Sequence, residues 1–516
     1  MLHLLYGPAA SGKTDLLMGR IRTAVAARTP GQVLLVPEQY SHEAERALCA
    51  ACGDSLSLYA EVLSFTGLAR RVAAETGAGE APLLDQGGRL LCMALALGQV
   101  APRLRLFGAA ARRPQMQQTL LGAVDELKTA CVTPDALEAT AARCPGYLGD
   151  KLRDLALVLA AYDAVTAQGH ADPTDRLTRL AERIPASALG RTGHFYLDGF
   201  TDYTRQELAV VRALLETGAD VTVCLTLDAL SGGSEIFGAA RRTARVLLDM
   251  ADDCGVQATV EACPARAADT PLRVLEQQLF SYTSAHFDDP AQTITVHTAD
   301  DLAAECAWAA ARALQLVQSG CRWRDIAIAV RGFSDYAPAL ERMCAYYGVP
   351  LYFARRTDLL QKPLVALIRA AYDIVTGGWD AEDVSAYLRT GLAGLTPEET
   401  DTLENYVLLW SIRGSAWTRP GPWQQHPDGY GAPDTDESAA RLAEINDLRQ
   451  RAAGPLRLLG AESSAAATAE AQAMALADFL ERLHLAQRLD ALAESLRAEG
   501  RAALAAEYAQ LWELTV

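Results

Sequence analysis

The stretch that most restricts what this chain can fold into lies near its start. Gly7-Pro8-Ala9-Ala10-Ser11-Gly12-Lys13-Thr14 fits the pattern G-x-x-x-x-G-K-[ST]. The run before it, Leu2-His3-Leu4-Leu5-Tyr6, is short and apolar enough for a buried strand, and Leu16, Leu17, Ile21 and Val25 behind it recur at helical spacing. Strand, loop and helix in that order are the context such a loop needs. The chemistry explains each residue type. Gly7 and Gly12 let backbone N–H groups wrap a phosphate, and the helix N-terminus adds partial positive charge. Lys13 reaches the β- and γ-phosphates, and the Thr14 hydroxyl holds Mg²⁺. Residues Gly7 to Thr14 are therefore expected to bind ATP or another nucleoside triphosphate.

A chain of 516 residues exceeds one ordinary core, so roughly two to four domains are expected. Abundant alanine among Leu, Glu and Arg favours a helix-heavy α/β chain. No apolar run reaches the roughly 18 residues that span a bilayer. The N-terminus has no cationic stretch before an apolar one, so no signal peptide is read, and a cytoplasmic protein without a membrane partner is expected. The 11 cysteines are scattered and odd in number, as suits reduced thiols. Cys49-x-x-Cys52 has no second pair at zinc spacing, so no metal role is assigned to it. The net charge of −17 argues against coating nucleic acid with the whole surface. It leaves room for a groove lined by local cations, for which Arg70-Arg71, Arg103 with Arg105, Arg112-Arg113, Arg241-Arg242 and Arg355-Arg356 are candidates. Each of these reads equally as a solvated helix face.

Val33-Leu34-Leu35-Val36 is a continuous apolar run, as a strand buried on both faces requires. Ala60-Glu61-Val62-Leu63 repeats the strand-then-helix pattern. From about 70 to 190 helical periodicity takes over, with breaks at Gly77-Ala78-Gly79, Gly87-Gly88, Pro102, Pro134 and Pro145. Strands resume at His194–Asp198 and Val221–Leu225. A second α/β unit is expected from Thr293–Val296, Ile326–Arg331 and Val349–Phe353. Beyond about 375 strands disappear, Trp410–Pro433 reads as a loop, and the remainder is helical. The expected layout is a RecA-like P-loop parallel-sheet domain at 1–290 with its helical insertion, the first part of a second RecA-like domain at 291–375, and a helical domain at 376–516. The second sheet has too few strands to close, so the chain reads as the front part of something longer.

P-loop NTPases support Mg²⁺ with an acidic residue at the end of a second strand, often beside a Glu that orients water. Asp198 ends such a strand, but Gly199 follows it. Without a carboxylate there, water lacks its usual general base. No catalytic residue is assigned.

Tyr196-Leu197-Asp198-Gly199-Phe200-Thr201-Asp202-Tyr203-Thr204-Arg205-Gln206-Glu207, together with Val36-Pro37-Glu38-Gln39-Tyr40 and the P-loop, resembles the AddB subunit of the bacterial AddAB helicase–nuclease, within the UvrD- and RecB-like superfamily 1 helicases. The resemblance spans roughly residues 1–365. It implies that Lys13 and Thr14 are the Walker A pair and Asp198 the Walker B aspartate. Tyr40, and Phe65-Thr66 after it, would face single-stranded DNA, where aromatic stacking tolerates any sequence. Asp228 falls where motif III begins, and Arg331 matches the motif IV arginine that contacts the γ-phosphate. Gly199, Val330 where related helicases often place an aromatic, and Gln206 one position early depart from an active motor. The resemblance further implies an AddA-type partner, single-stranded and duplex-end DNA, double-strand break processing, Chi recognition and recombinational repair. An iron–sulfur cluster is expected only in the full-length family member, because no Cys follows Cys344. The alternative is an active superfamily 1 translocase. A small-molecule P-loop kinase fits poorly with the long helical insertion.

Overall fold

The computed structural model describes residues 1–53, 56–77, 82–263, 270–280, 286, 288–353 and 361–515. The Arg355-Arg356 pair and the Ala78-Gly79 break lie outside the described residues. The chain divides into two compact units, Met1–His297 and Thr298–Val516.

In the first unit, β1 (Leu2–Gly7), β2 (Gln32–Leu35), β3 (Ala60–Leu63), β4 (His194–Leu197), β5 (Asp220–Thr226) and β6 (Ala258–Ala262) form a six-stranded sheet in the order β3-β2-β4-β5-β1-β6. Every pairing is parallel. Both faces are covered, which is why the strands are apolar runs rather than alternating ones. Leu4, Val33, Leu35, Val221 and Val223 pack on one side with Leu68, Val72, Val210, Leu214 and Leu247 from three helices. Leu5, Leu34 and Cys224 point the other way, onto Leu17, Ile21, Val25 and Leu48. The period-2 alternation of a strand separates the two cores. β6 has no apolar signal. Its Ala-Thr-Val-Glu-Ala sits at the sheet edge with most side chains exposed, held by its ladder to β1.

Between β3 and β4 the helices Gln86–Val100, Pro114–Thr129, Pro134–Ala141 and Tyr147–Thr166 enclose a core of their own, including Met93, Leu97, Leu120, Val124, Val158 and Tyr162. Beside that core lies a buried ion cluster. Asp172, fully enclosed, pairs with Arg89 Nε at 3.1 Å and Lys128 Nζ at 3.1 Å. Lys128 also meets Asp163 at 2.9 Å and Asp175 at 2.8 Å, and Arg89 pairs with Asp125. Gln206, at the start of the helix Arg205–Thr217, donates to the Thr174 carbonyl at 2.8 Å and the Thr178 hydroxyl at 3.1 Å, tying that helix to the base of the insertion.

The second unit departs from expectation. Thr293–Val296, at the end of the first unit, and Ile326–Arg331 and Val349–Phe353 here form no strand ladder among the described residues. Their side chains explain the apolar signal without a sheet: Ile326, Val330, Leu351 and Phe353 pack on the helices Leu302–Gln318 and Phe333–Tyr347. Apolar content shows burial, while a strand also needs backbone partners. From Pro363 onward helices gather around Trp379, Tyr406, Trp417 and Trp423. The Trp410–Pro433 segment contains a short helical turn, Ser415–Thr418, and is otherwise irregular. It is pinned by Arg449, which is 1% exposed. That guanidinium donates to the carbonyls of Trp417 (2.9 Å), Arg419 (2.8 Å) and Gly421 (2.7 Å) and lies 4.8 Å from the Trp423 ring centre. No helix among the described residues is long and apolar enough to cross a membrane.

Candidate nucleotide-binding site

β1 ends in the loop because Gly7 lets the chain leave the sheet beside β6. A Cβ at Gly7 would run into the Cys263 carbonyl. Gly12 then turns left-handed at φ 86° and opens the helix Lys13–Ala26 with no side-chain cap, leaving first-turn amides for an anion. Ala10 also takes a positive φ of 54°, a strained conformation that a non-glycine residue keeps only where the surroundings enforce it. Lys13 is buried and folds back on the loop, donating to the Gly7 carbonyl at 2.9 Å and the Pro8 carbonyl at 2.7 Å. Burial lowers its pKa, while Cys224, Asp198 and Glu276 pull the other way.

One strand, β5, separates β1 from β4. β4 nevertheless delivers Asp198 to the loop, where its Oδ2 accepts from the Thr14 hydroxyl at 2.7 Å. A cavity of about 510 Å³ lies over this pair, lined by the loop, Asp198, Gly199, Thr201 and Thr226. A neighbouring cleft of about 380 Å³ reaches from Thr14 and Asp198 to Pro37 and Tyr40.

A family model described as ADDB, N-terminal, matches residues 4–276. The chain belongs to this family. Its relatives include the B-type component of an ATP-dependent helicase/deoxyribonuclease from Desulforudis audaxviator (strain MP104C), 36% identical over 99% of this chain and 46% of the relative. Proteins of the same name from Acetivibrio thermocellus and Heliobacterium modesticaldum are 30% and 32% identical. The chain thus spans about half the length of the curated relatives it matches: 46%, 46% and 44%.

In this AddB chain Lys13, Thr14 and Asp198 converge, and Tyr40 stands beside them with its side chain 49% exposed. Phe65 is 6% exposed, edge-on to Phe200 at 5.6 Å and to Tyr203 at 6.5 Å, so in this conformation it presents no free ring face. Thr66 beside it is half-buried. Arg331 belongs to the second unit and is exposed there. Gln206 points into the insertion rather than the loop. Asp228 organises its own Gly-rich loop, accepting from Ala229 N at 2.8 Å and Ser234 N at 2.7 Å and pairing with Arg241 at 2.8 Å. Among the arginine candidates, Arg71, Arg105 and Arg241 are in ion pairs, and Arg70, Arg103, Arg112, Arg113 and Arg242 are exposed.

Gly199 has a backbone reason. Its φ is +81°, and a Cβ there would stand 3.3 Å from Pro37 Cδ. Any side chain at this position, a glutamate included, strains the turn that carries Asp198. Gly199→Ala is expected to cost about 1 kcal/mol. A shift of the urea midpoint at unchanged slope would show it, and an unshifted midpoint would remove the backbone explanation.

Residues of the loop's far side carry no sequence signal. Ala9 N donates to Glu276 Oε1 at 3.0 Å, and Glu276 pairs with Arg273 on the helix Pro271–Gln278. Only the parallel sheet brings residues 9 and 276 together.

Proposed function

We propose that this chain is the nucleotide-holding, DNA-binding part of an AddB subunit whose own motor does not turn over. The supporting observation is the Thr14–Asp198 contact of 2.7 Å over the Lys13 loop, followed at once by a left-handed glycine where a water-orienting carboxylate would stand. ATP phosphates fit the loop amides and Lys13. The oxygen donors of Thr14 and Asp198 suit a hard cation, and they would hold Mg²⁺, which neutralises phosphate charge when bound. With no general base next to Asp198, nucleotide binds and stays.

Tyr40, exposed beside the phosphate site, is the aromatic best placed to stack on single-stranded DNA. Phe65 joins it only if the Phe200–Tyr203 cluster opens. Arg331 serves the γ-phosphate from the second unit. The subunit works in the cytoplasm with an AddA-type motor on duplex DNA ends, reads Chi, and serves recombinational repair. Its iron–sulfur cluster belongs to the longer family members. An AddA-type partner failing to bind the full-length protein would remove the partner assignment.

The test is MgATP binding and hydrolysis with and without single-stranded DNA, beside Lys13→Ala and repeated on the full-length protein. Binding without turnover is expected in both. Lys13→Ala should weaken binding about tenfold to a hundredfold, the value of one charge-assisted contact. Rapid DNA-dependent turnover abolished by Lys13→Ala would instead establish an active superfamily 1 translocase.

A further inference from the structure

The strand order gives the phosphate site a direction. Asp198 and Thr14 mark the metal end on the β4 side of the loop, with β5 between β4 and β1. A triphosphate laid along the loop from that end leaves its nucleoside on the opposite side, toward β6. A second cavity lies there, about 350 Å³, lined by Tyr6, Phe237, Ala262, Cys263, Arg273 and Gln277. Its size is at the low end of ordinary small-ligand sites, and its make-up is apolar walls with a few polar groups, as such sites have.

The cavity is a built one. Glu276 holds its outer wall to the loop through Ala9 N at 3.0 Å and is braced by Arg273. Asp228 fixes the loop that leads to the turn Glu235–Phe237, setting the Phe237 ring. β6 closes the floor, where the Cys263 N–H donates to the Tyr6 carbonyl at 2.7 Å. Tyr6 and Phe237 offer aromatic surface to a planar base. Arg273 and Gln277 offer donors to base edges and ribose hydroxyls.

We infer that this cleft takes the base and ribose of the nucleotide whose phosphates the loop holds, which rests on the phosphate-loop reading above. Glu276 is a positioning residue: it ties helix to loop and so keeps the cleft open next to the phosphates.

The test compares MgATP, MgADP and inorganic tripolyphosphate binding to the 516-residue chain, to Phe237→Ala and to Ala262→Trp. Ala262 is exposed on the edge strand, so the tryptophan fills the cleft without entering the core, and circular dichroism checks the fold of both variants. Both nucleotides are expected to lose about tenfold or more in affinity while tripolyphosphate stays within about twofold. Lys13→Ala should weaken all three ligands. Nucleotide affinity unchanged in both variants, or lost in step with tripolyphosphate, overturns the subsite and leaves the phosphate loop standing. A parent chain that binds none of the three sinks the phosphate-loop reading and the subsite with it.

Discussion

Asp172→Ala is expected to loosen the helical insertion by about 3–5 kcal/mol, the usual cost of removing one partner from a buried ion pair. The substitution leaves Arg89 and Lys128 enclosed with one counter-charge fewer, and it opens a void where Asp172 is wholly buried. Hydrogen exchange locates the effect: amides in 86–166 should lose protection while those in β1, β4 and β5 keep theirs. Parent-like exchange in the insertion would show that Asp163, Asp175 and Asp125 suffice. As a contrast, Arg212→Ala breaks a pair with Asp253 that is largely solvent-exposed, and should cost no more than about 1 kcal/mol. The same cluster sets an acid limit. Burial alone would raise the Asp172 pKa, but the Thr174 N–H and the Lys128 and Arg89 cations outweigh it and hold the carboxyl below its ordinary value. A depressed native pKa stabilises fully above the unfolded value of about 3.9 and is lost as pH falls through the native one. The insertion's acid transition should therefore begin below about pH 4, and Asp172→Asn should flatten that dependence.

Arg449→Ala should be comparably severe in the second unit, at about 3–5 kcal/mol. It strands the carbonyls of Trp417, Arg419 and Gly421 in a buried setting and removes the cation over the Trp423 ring. Burial lowers the Arg449 pKa, and the groups that receive its hydrogen bonds are backbone carbonyls. Arg449→Lys should recover only a minor part, because a compact ammonium cannot span three carbonyls set in a planar fork. Tryptophan fluorescence during urea unfolding reads this directly, since Trp379, Trp417 and Trp423 form one cluster. Full recovery by lysine would mean that charge rather than fork geometry holds the loop.

The phosphate loop, β1 to β5 and the insertion are legible in the sequence for a common reason. Strands buried on both faces must be apolar throughout, and the loop's glycines and lysine have few other uses together. β6 is illegible because an edge strand is held by ladder bonds, which Ala258–Ala262 makes without apolar side chains. The opposite failure occurs at Ile326–Arg331, where apolar residues pack on helices and no neighbouring strand pairs with them. Phe65 shows a third limit: burial against Phe200 and Tyr203 depends on contacts far along the chain. Phe237, Arg273 and Glu276 come from separate elements, and no spacing rule joins them to residue 7.

The placement of β4 has a kinetic consequence. It must slot between β2 and β5 after the whole insertion has been made, so Tyr196 reaches Gln32 across 164 positions and Thr14 reaches Asp198 across 184. Loop closure over such separations is slow unless the intervening chain is already compact. The insertion, rich in local helical contacts, is thus the part suited to collapse first and shorten the path. The phosphate site is then completed only at the last closing step, and a nucleotide that binds it stabilises the fully assembled sheet rather than any earlier intermediate.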